Sequence, residues 1–334
     1  MSRCFVLGAG FSKPCGCPLA SELTKLVFRH AFPPNDSFRP DVRAHWLRFL
    51  HHLYPEYDLE GNWPDFEDLI TVLDEWSLYQ QEYEGRTRAG EPLSPSHFKR
   101  VLLQHMARLL CDAATSAPTQ AFEQVKDFVS SLRGGTDTLI CFNWDPLIEM
   151  ACHELGLDLR YDDDRRDVIH MAKPHGSVTL AEMTSAEFAQ RSQAINVCGV
   201  HIDWTHGETI VVRAEDPADA AARIVAPFEE TVIVEPTARK VYRSPWIKRQ
   251  WCVAYDMLHR ADQIFVIGFS MPPTDYRPRV LFQAAAMDRE RSSELHIIAP
   301  NARELERHYR AVVGGPITPV QASWIDWMNE RVGG

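Results

Sequence analysis

The chain has 334 residues, 45% of them apolar, enough for one large α/β domain or two ordinary ones with a substantial core. A formal charge of −11 makes it a poor default binder of nucleic acid, because phosphate contacts need a basic face. No apolar run approaches the roughly 18 residues of a membrane span, and the first strand starts within three residues of Met1, so no leader and a cytoplasmic location are expected.

The opening stretch predicts a buried strand, Arg3-Cys4-Phe5-Val6-Leu7, breaking into Gly8-Ala9-Gly10-Phe11-Ser12. A tight turn is expected there, then a helix from about Leu19 to Ala31, stopped by Pro33-Pro34. Such a turn suits a phosphate, since glycines admit a close backbone approach and N–H groups face the anion. The usual third glycine is replaced by Lys13, and no acidic residue sits about 20 positions on. Taken alone, a plain turn and a phosphate cradle fit equally well.

Helical spacing follows near residues 41–54, 65–79 and 96–114, with Trp46, Leu47, Leu50 and Leu53 on one face and Phe66, Leu69, Ile70 and Leu73 on another. Almost no strand character occurs here, so about 36–117 reads as a helical insertion in one domain spanning 1–334. One more amphipathic helix runs through Phe122, Val125, Phe128, Val129 and Leu132 to Gly134-Gly135.

A second clear strand, Thr138 to Phe142, leads into Asn143-Trp144-Asp145-Pro146, where Asp145 suits a helix N-cap with proline at the first helical position. Residues 162–167 are a charged loop, expected to be solvated. Val168 to Met171 is a short strand leading to Lys173-Pro174-His175-Gly176-Ser177. Residues 178–230 read as a second insertion or lid, with strand-like pieces at 194–200 and 209–213. Thr231–Val234 reads as a strand and Trp246–Leu258 as a helix. Gln263–Ile267 is a strand running into Gly268-Phe269-Ser270-Met271-Pro272-Pro273-Thr274-Asp275, and a helix is expected from about Pro278. Glu294–Ile298 is a strand ending near Asn301, followed by a helix; the tail 320–328 reads as a helix or a last strand and turn. Alternating short apolar strands and helices predict an α/β, doubly wound parallel sheet of the Rossmann-like kind.

The eight cysteines, Cys4, Cys15, Cys17, Cys111, Cys141, Cys152, Cys198 and Cys252, form no C-x-x-C pair, which argues against a zinc ribbon. Reduced, mostly buried thiols are expected; Cys15 and Cys17, beside the glycine turn, are either ordinary loop cysteines or reactive ones. His201 to Glu208 lacks a helical H-E-x-x-H frame and reads as a polar loop rather than a metal site. His51-His52 reads as helix surface, and Trp324 and Trp327 as core or subunit contacts.

Ligands of doubly wound sheets bind beyond the carboxyl ends of the strands, and several such ends here are polar. His175, before a glycine at a strand end, suits a general base. Asn143, at another strand end, offers both a donor and an acceptor to a bound polar group. Asp145 either caps its helix or stabilises developing positive charge.

Gly8-Ala9-Gly10-Phe11-Ser12 resembles the G-A-G-x-S opening of the sirtuin superfamily. Asn143-Trp144-Asp145 resembles its N-x-D, Lys173 to Ser177 is similar to its catalytic H-G, Gly268-Phe269-Ser270 resembles its G-x-S, and Asn301 matches a later Asn. The motifs follow the family's order over roughly residues 1–310. The G-I-P-D-F-R of sirtuin deacylases is replaced by Gly16-Cys17-Pro18-Leu19-Ala20-Ser21, and the four-cysteine zinc module is absent. Phe142 to Glu149 and Ile267 to Pro272 look like the bacterial sirtuin-like antiphage defence branch, which degrades NAD+ in infected cells. The resemblance implies a sirtuin-like fold and an NAD+ hydrolase yielding nicotinamide and ADP-ribose, with NAD+ as substrate and no zinc. It implies Asn143, His175 and Asp145 as the catalytic group, and Gly8, Ala9, Gly10, Phe11, Ser12, Gly268, Ser270 and Asn301 around the dinucleotide. A NADase active at all times would harm its host, so control by assembly is expected, as a homo-oligomer or with a separately encoded ATPase or Argonaute-like sensor. The alternatives are an NAD-dependent protein deacylase and a non-catalytic NAD or ADP-ribose-binding module. A dehydrogenase is disfavoured by the broken glycine fingerprint.

Overall fold

Arg3–Leu7 (β1) places four buried apolar side chains behind one half-buried arginine, a pattern that suits the interior of a parallel sheet covered on both faces. The computed structural model describes residues 1–33, 40–58, 61–83, 94–161, 168–195, 199–225, 231–234, 244–272, 275–288, 292–313 and 315–332. It divides into two compact units: Met1–Cys17 with Leu110–Val234 and Tyr242–Gly334, and Pro18–Leu109 with Glu235–Val241.

In the first unit, β1 is joined by β2 (Asp137–Cys141), β3 (Leu159–Arg160), β4 (Ile169–Ala172), β10 (Gln263–Ile267), β11 (Glu294–Ile298) and β12 (Ile317–Val320). All pairings are parallel, in the order β12-β11-β10-β1-β2-β4-β3. The chain winds outward from β1 through β2 to β3 and β4, then returns to β10 on the other side of β1. This is an α/β Rossmann-like, doubly wound sheet, with its switch point between β1 and β10. Phe5 stacks on Phe265 of β10 at 5.1 Å and meets Phe128 edge-on at 5.4 Å. Phe128 lies on the helix Thr119–Ser130, whose buried Ala121, Val125, Phe128 and Val129 follow helical spacing.

Between β4 and β10 the chain forms β5 (Gly176–Ser177), β6 (Leu180–Thr184), β7 (Val200–His206), β8 (Thr209–Ala214) and β9 (Val232–Ile233). β5 and β9 form a two-stranded antiparallel sheet, and β6-β8-β7 a three-stranded one. The second unit contains the helices Ala20–Ala31, Pro40–Leu53 and Phe66–Tyr83 and the start of Pro95–Thr115. Its core holds Phe28, Trp46, Leu50, Leu69, Ile70, Leu73 and Phe98, with Trp46 stacked on Phe98 at 3.9 Å.

Several local expectations are corrected. In place of the tight turn expected at Gly8–Ser12, Gly8 is the N-cap of a short helix, Ala9–Ser12, that follows β1 directly. Residues 194–195 close the helix Ser185–Ile195, and the strand there starts only at Val200. His201 to His206 is strand rather than loop, with Arg213 Nε donating to Asp203 Oδ1 at 3.0 Å. Thr231–Val234 contributes two strand residues, outside the main sheet. Pro146, not Asp145, occupies the N-cap of Leu147–Glu154. The tail is both a strand and a helix, Trp324–Val332. Trp324 and Trp327 are core residues, and Trp324 stacks on Phe11 at 4.5 Å. The charged stretch 162–167 and Cys198 lie outside the described residues.

Candidate functional site

The switch point is closed by backbone meeting backbone. Gly8 N–H donates to Ile267 O at 3.0 Å, and Gly10 N–H to Gly268 O at 2.9 Å. A Cβ on Gly8 would stand 2.5 Å from Phe269 Cα, and one on Gly268 2.4 Å from Phe11 N. Gly268 also has φ +63°, so glycine is required there twice over. Two of the N–H groups expected to face a phosphate are therefore spent on neighbouring carbonyls. Phe11 turns into the core, where its carbonyl accepts from Trp324 Nε1 at 3.0 Å. Beyond Gly268 the loop carries Met271 at φ +52°, a left-handed conformation costing on the order of 1–3 kcal/mol for a side chain of this size. Its Phe269 carbonyl accepts from the Tyr309 hydroxyl at 2.8 Å.

Asn143 follows β2 and is buried. Its Nδ2 donates to Gly8 O and to Ser12 Oγ, both at 2.9 Å, so its amide hydrogens clamp the β1 and β2 loops together. The Ser12 hydroxyl in turn favours the ionised form of Asp145. Asp145 Oδ1 also accepts from Leu147 N–H at 3.3 Å, an inward, cap-like position. Burial pushes the Asp145 carboxyl up, and Lys173 and Ser12 oppose that only in part.

His175 sits in the tight turn after β4, closed by Gly176 N–H donating to Lys173 O at 2.9 Å. Gly176 has φ +84°, and a Cβ there would lie 1.8 Å from Val232 O. The His175 carbonyl accepts from Trp144 Nε1 at 3.0 Å and from Val234 N–H at 2.8 Å. The residue is buried. Phe142 lies edge-on at 5.0 Å and Trp251 at 5.9 Å, while Phe142 stacks on Phe269 at 4.5 Å. His175 Nε2 is 2.9 Å from Asp275 Oδ2, at ion-pair distance but off the line of a well-directed hydrogen bond. Such contacts often tighten only when substrate binds.

Under the turn lies a fully buried ion pair. Lys173 Nζ donates to Glu149 Oε1 at 2.7 Å, to Asp145 O at 2.7 Å and to Ser177 Oγ at 3.1 Å. Glu149 Oε1 also accepts from Tyr161 OH and Ser177 Oγ, each at 3.0 Å. Burial disfavours the Lys173 cation, but the charge and hydrogen bond of Glu149, with Cys141 and Asp145, together outweigh it and the ammonium is held above its ordinary range.

Asn143, Asp145, Ser12, Gly8, Gly10 and Gly268 thus form one connected cluster, and Trp144 links it to His175. Ser270 and Asn301 are exposed at the ends of β10 and β11; Asn301 takes the N-cap position of Ala302–Arg310 without a side-chain cap bond. Cys15 and Cys17 are buried, and burial pushes Cys15 up to about 12 and Cys17 higher, so neither is a reactive thiolate. Among the described residues, no group of three or more His, Cys, Asp or Glu is placed to hold a metal. A cavity of about 290 Å³ lined by Val129, Leu132, Leu155, Leu157, Val168 and Ile169 lies at the opposite, amino-terminal edge of the sheet. Sequence reasoning did not single out Asp275, Lys173, Glu149 or Tyr161 as site residues. Lys173 and Asp275 fall inside the stretches around His175 and Gly268, but no local spacing pairs them with anything.

No protein-family model matches the sequence, and no curated protein matches it. Solved structures that superpose on it include Sir2Tm bound to a propionylated peptide, at 12% identity and TM-score 0.38, covering 99% of this chain and 92% of that one. A mutant Sir2 homologue in complex with ADP-ribose gives 13% identity and TM-score 0.40, covering 99% and 90%. A Sir2–p53 peptide–NAD+ complex gives 11% identity and TM-score 0.38, covering 99% and 92%. Values this low leave the functional reading to the side chains described above.

Proposed function

We propose that this chain hydrolyses NAD+ to nicotinamide and ADP-ribose at the carboxyl edge of its sheet. The observation that carries the reading is the direct hydrogen bonding of motifs far apart in sequence: Asn143 to Gly8 and Ser12, Gly10 to Gly268, and Trp144 to His175. These are the stretches that resemble the sirtuin motifs, and they converge at the switch point, where doubly wound sheets bind ligands.

The chemistry suits the residues. The bond from the ribose anomeric carbon to the nicotinamide nitrogen breaks through an oxocarbenium-like state, and nicotinamide leaves as a neutral base. Water adds to the ribose carbon, and its proton passes to a base, giving ADP-ribose and one proton. No strong acid is required. A neutral His175 supplies the base, a role worth on the order of 10²–10⁴-fold. Asn143 holds the two loops in register, and its Oδ1 is the atom left to orient water or a ribose hydroxyl. Gly8, Ala9, Gly10, Phe11, Ser12 and Gly268 form the floor for the dinucleotide chiefly by leaving room, with Ser270 and Asn301 at its rim. Asp145 acts through Ser12.

The same proposal includes the role of an antiphage effector that depletes NAD+, held in check by assembly as a homo-oligomer or with a separately encoded partner. The test is incubation of the full chain with NAD+ and chromatographic identification of the products. Free nicotinamide with ADP-ribose supports hydrolysis. Nicotinamide release only with an acyl-lysine peptide would reassign the chain as a deacylase, and binding without turnover would make it an NAD-responsive module.

A further inference from the structure

We propose that Asp275 is the positioning residue that fixes the tautomer of His175, holding the proton on Nε2 and leaving Nδ1 as the working base. The inference rests on His175 acting as the base, as proposed above; the identity of Asp275, the tautomer and the working nitrogen go beyond that reading.

The geometry is specific. His175 Nε2 stands 2.9 Å from Asp275 Oδ2, with the histidine side chain 9% exposed and the aspartate side chain 2%. An ionised carboxylate only accepts hydrogen bonds. At 2.9 Å a bare Nε2 lone pair would face the carboxylate's own, so the neutral imidazole is stabilised with its N–H on Nε2, and the lone pair falls to Nδ1. The surroundings reinforce this. Phe142 and Trp251 wall the imidazole, so the choice of tautomer is not left to water. The Arg277 guanidinium stacks on Trp251, with its carbon 4.8 Å from the ring centroid, and so helps hold that wall in place. The His175 backbone is pinned independently by Trp144 and Val234, which leaves the side-chain torsions and the tautomer as the freedoms for Asp275 to set.

Asp275 begins the helix Tyr276–Met287 and follows the loop that carries Gly268 and the strained Met271.

The experiment is ¹⁵N-histidine NMR of the full chain at alkaline pH, where imidazoles are neutral, with His175→Gln used to assign the resonance. The expected wild-type pattern is the Nε2–H tautomer, and Asp275→Asn should convert it to a mixture or to Nδ1–H. A wild-type Nδ1–H tautomer, or an unchanged Nε2–H tautomer in Asp275→Asn, overturns the proposal. Should Asp275→Asn fail to fold, the wild-type spectrum decides alone. In turnover, Asp275→Asn is expected to lower kcat by on the order of 10²-fold or more with KM within about threefold. A raised KM at unchanged kcat would contradict positioning. The spectra need no turnover, so a chain that fails to hydrolyse NAD+ but keeps the predicted tautomer would sink the functional proposal and the base role with it, and leave the Asp275–His175 tautomer assignment standing.

Discussion

Replacing Lys173 by methionine should destabilise the first unit by about 3–5 kcal/mol, the usual cost of removing one partner of a buried ion pair. Methionine nearly preserves the volume, so little of this is a cavity. The loss comes from what the ammonium leaves behind. Glu149 Oε1 keeps Tyr161 and Ser177 as donors but loses its charge partner in a site with no solvent exposure, and Asp145 O loses a donor at 2.7 Å. The Lys173→Met/Glu149→Leu double variant removes both charges and should recover most of the loss, returning to within about 2 kcal/mol of wild type. Urea unfolding followed by tryptophan fluorescence reads the midpoints. The pair also predicts a pH dependence. The folded-state value of Lys173 lies above its ordinary one, so its contribution is complete below the unfolded value, about 10.4, and is lost as pH rises through the folded value. Wild type should therefore lose stability at strongly alkaline pH in a way Lys173→Met does not. A Lys173→Met cost below about 1 kcal/mol, or a double variant as unstable as the sum of the singles, would refute the reasoning.

At the other edge of the sheet, burial would push Asp137 up, but Arg3 and Arg133 outweigh it and hold the carboxyl down at about 2. The fall from 3.8 corresponds to roughly 2 kcal/mol of stability, complete above pH 4 and lost as pH drops towards 2; acid titration of wild type against Asp137→Asn should show it. Gly268→Ala forces a Cβ into Phe11 N at 2.4 Å and a residue into φ +63°, so the two loops must part and thermal melting should fall by several degrees. A maleimide applied to the native protein should label exposed Cys252 long before buried Cys15 or Cys17, as peptide mass mapping would reveal.

The central strands were legible because their signal is local. β10 is a run of four apolar residues behind Gln263 and β11 places Leu295, Ile297 and Ile298 inward, and the sequence predicts their limits to the residue. His175 and Asn143 were legible as polar residues at strand ends, where such sheets place ligands. Other features depend on distant partners. Lys173, Glu149 and Tyr161 meet only once β4, the helix Leu147–Glu154 and the segment after β3 are packed, and no spacing announces that. Asp275 reads locally as a turn residue among prolines and gains its meaning from a histidine 100 positions earlier. The first helix was missed because Pro14, Gly16 and Pro18 suggest a loop, whereas Gly8 caps a turn of helix before them. Residues 194–200 misled because the β-branched Ile195, Val197 and Val200 carry strand propensity across the end of a helix.

The most direct test of the central claim is the rate of nicotinamide release from NAD+ by wild type and by His175→Ala, each shown to be folded by circular dichroism and thermal melting. Loss of on the order of 10²-fold or more in kcat, with nicotinamide and ADP-ribose as the wild-type products, is the predicted result. Equal rates in the two proteins would contradict it.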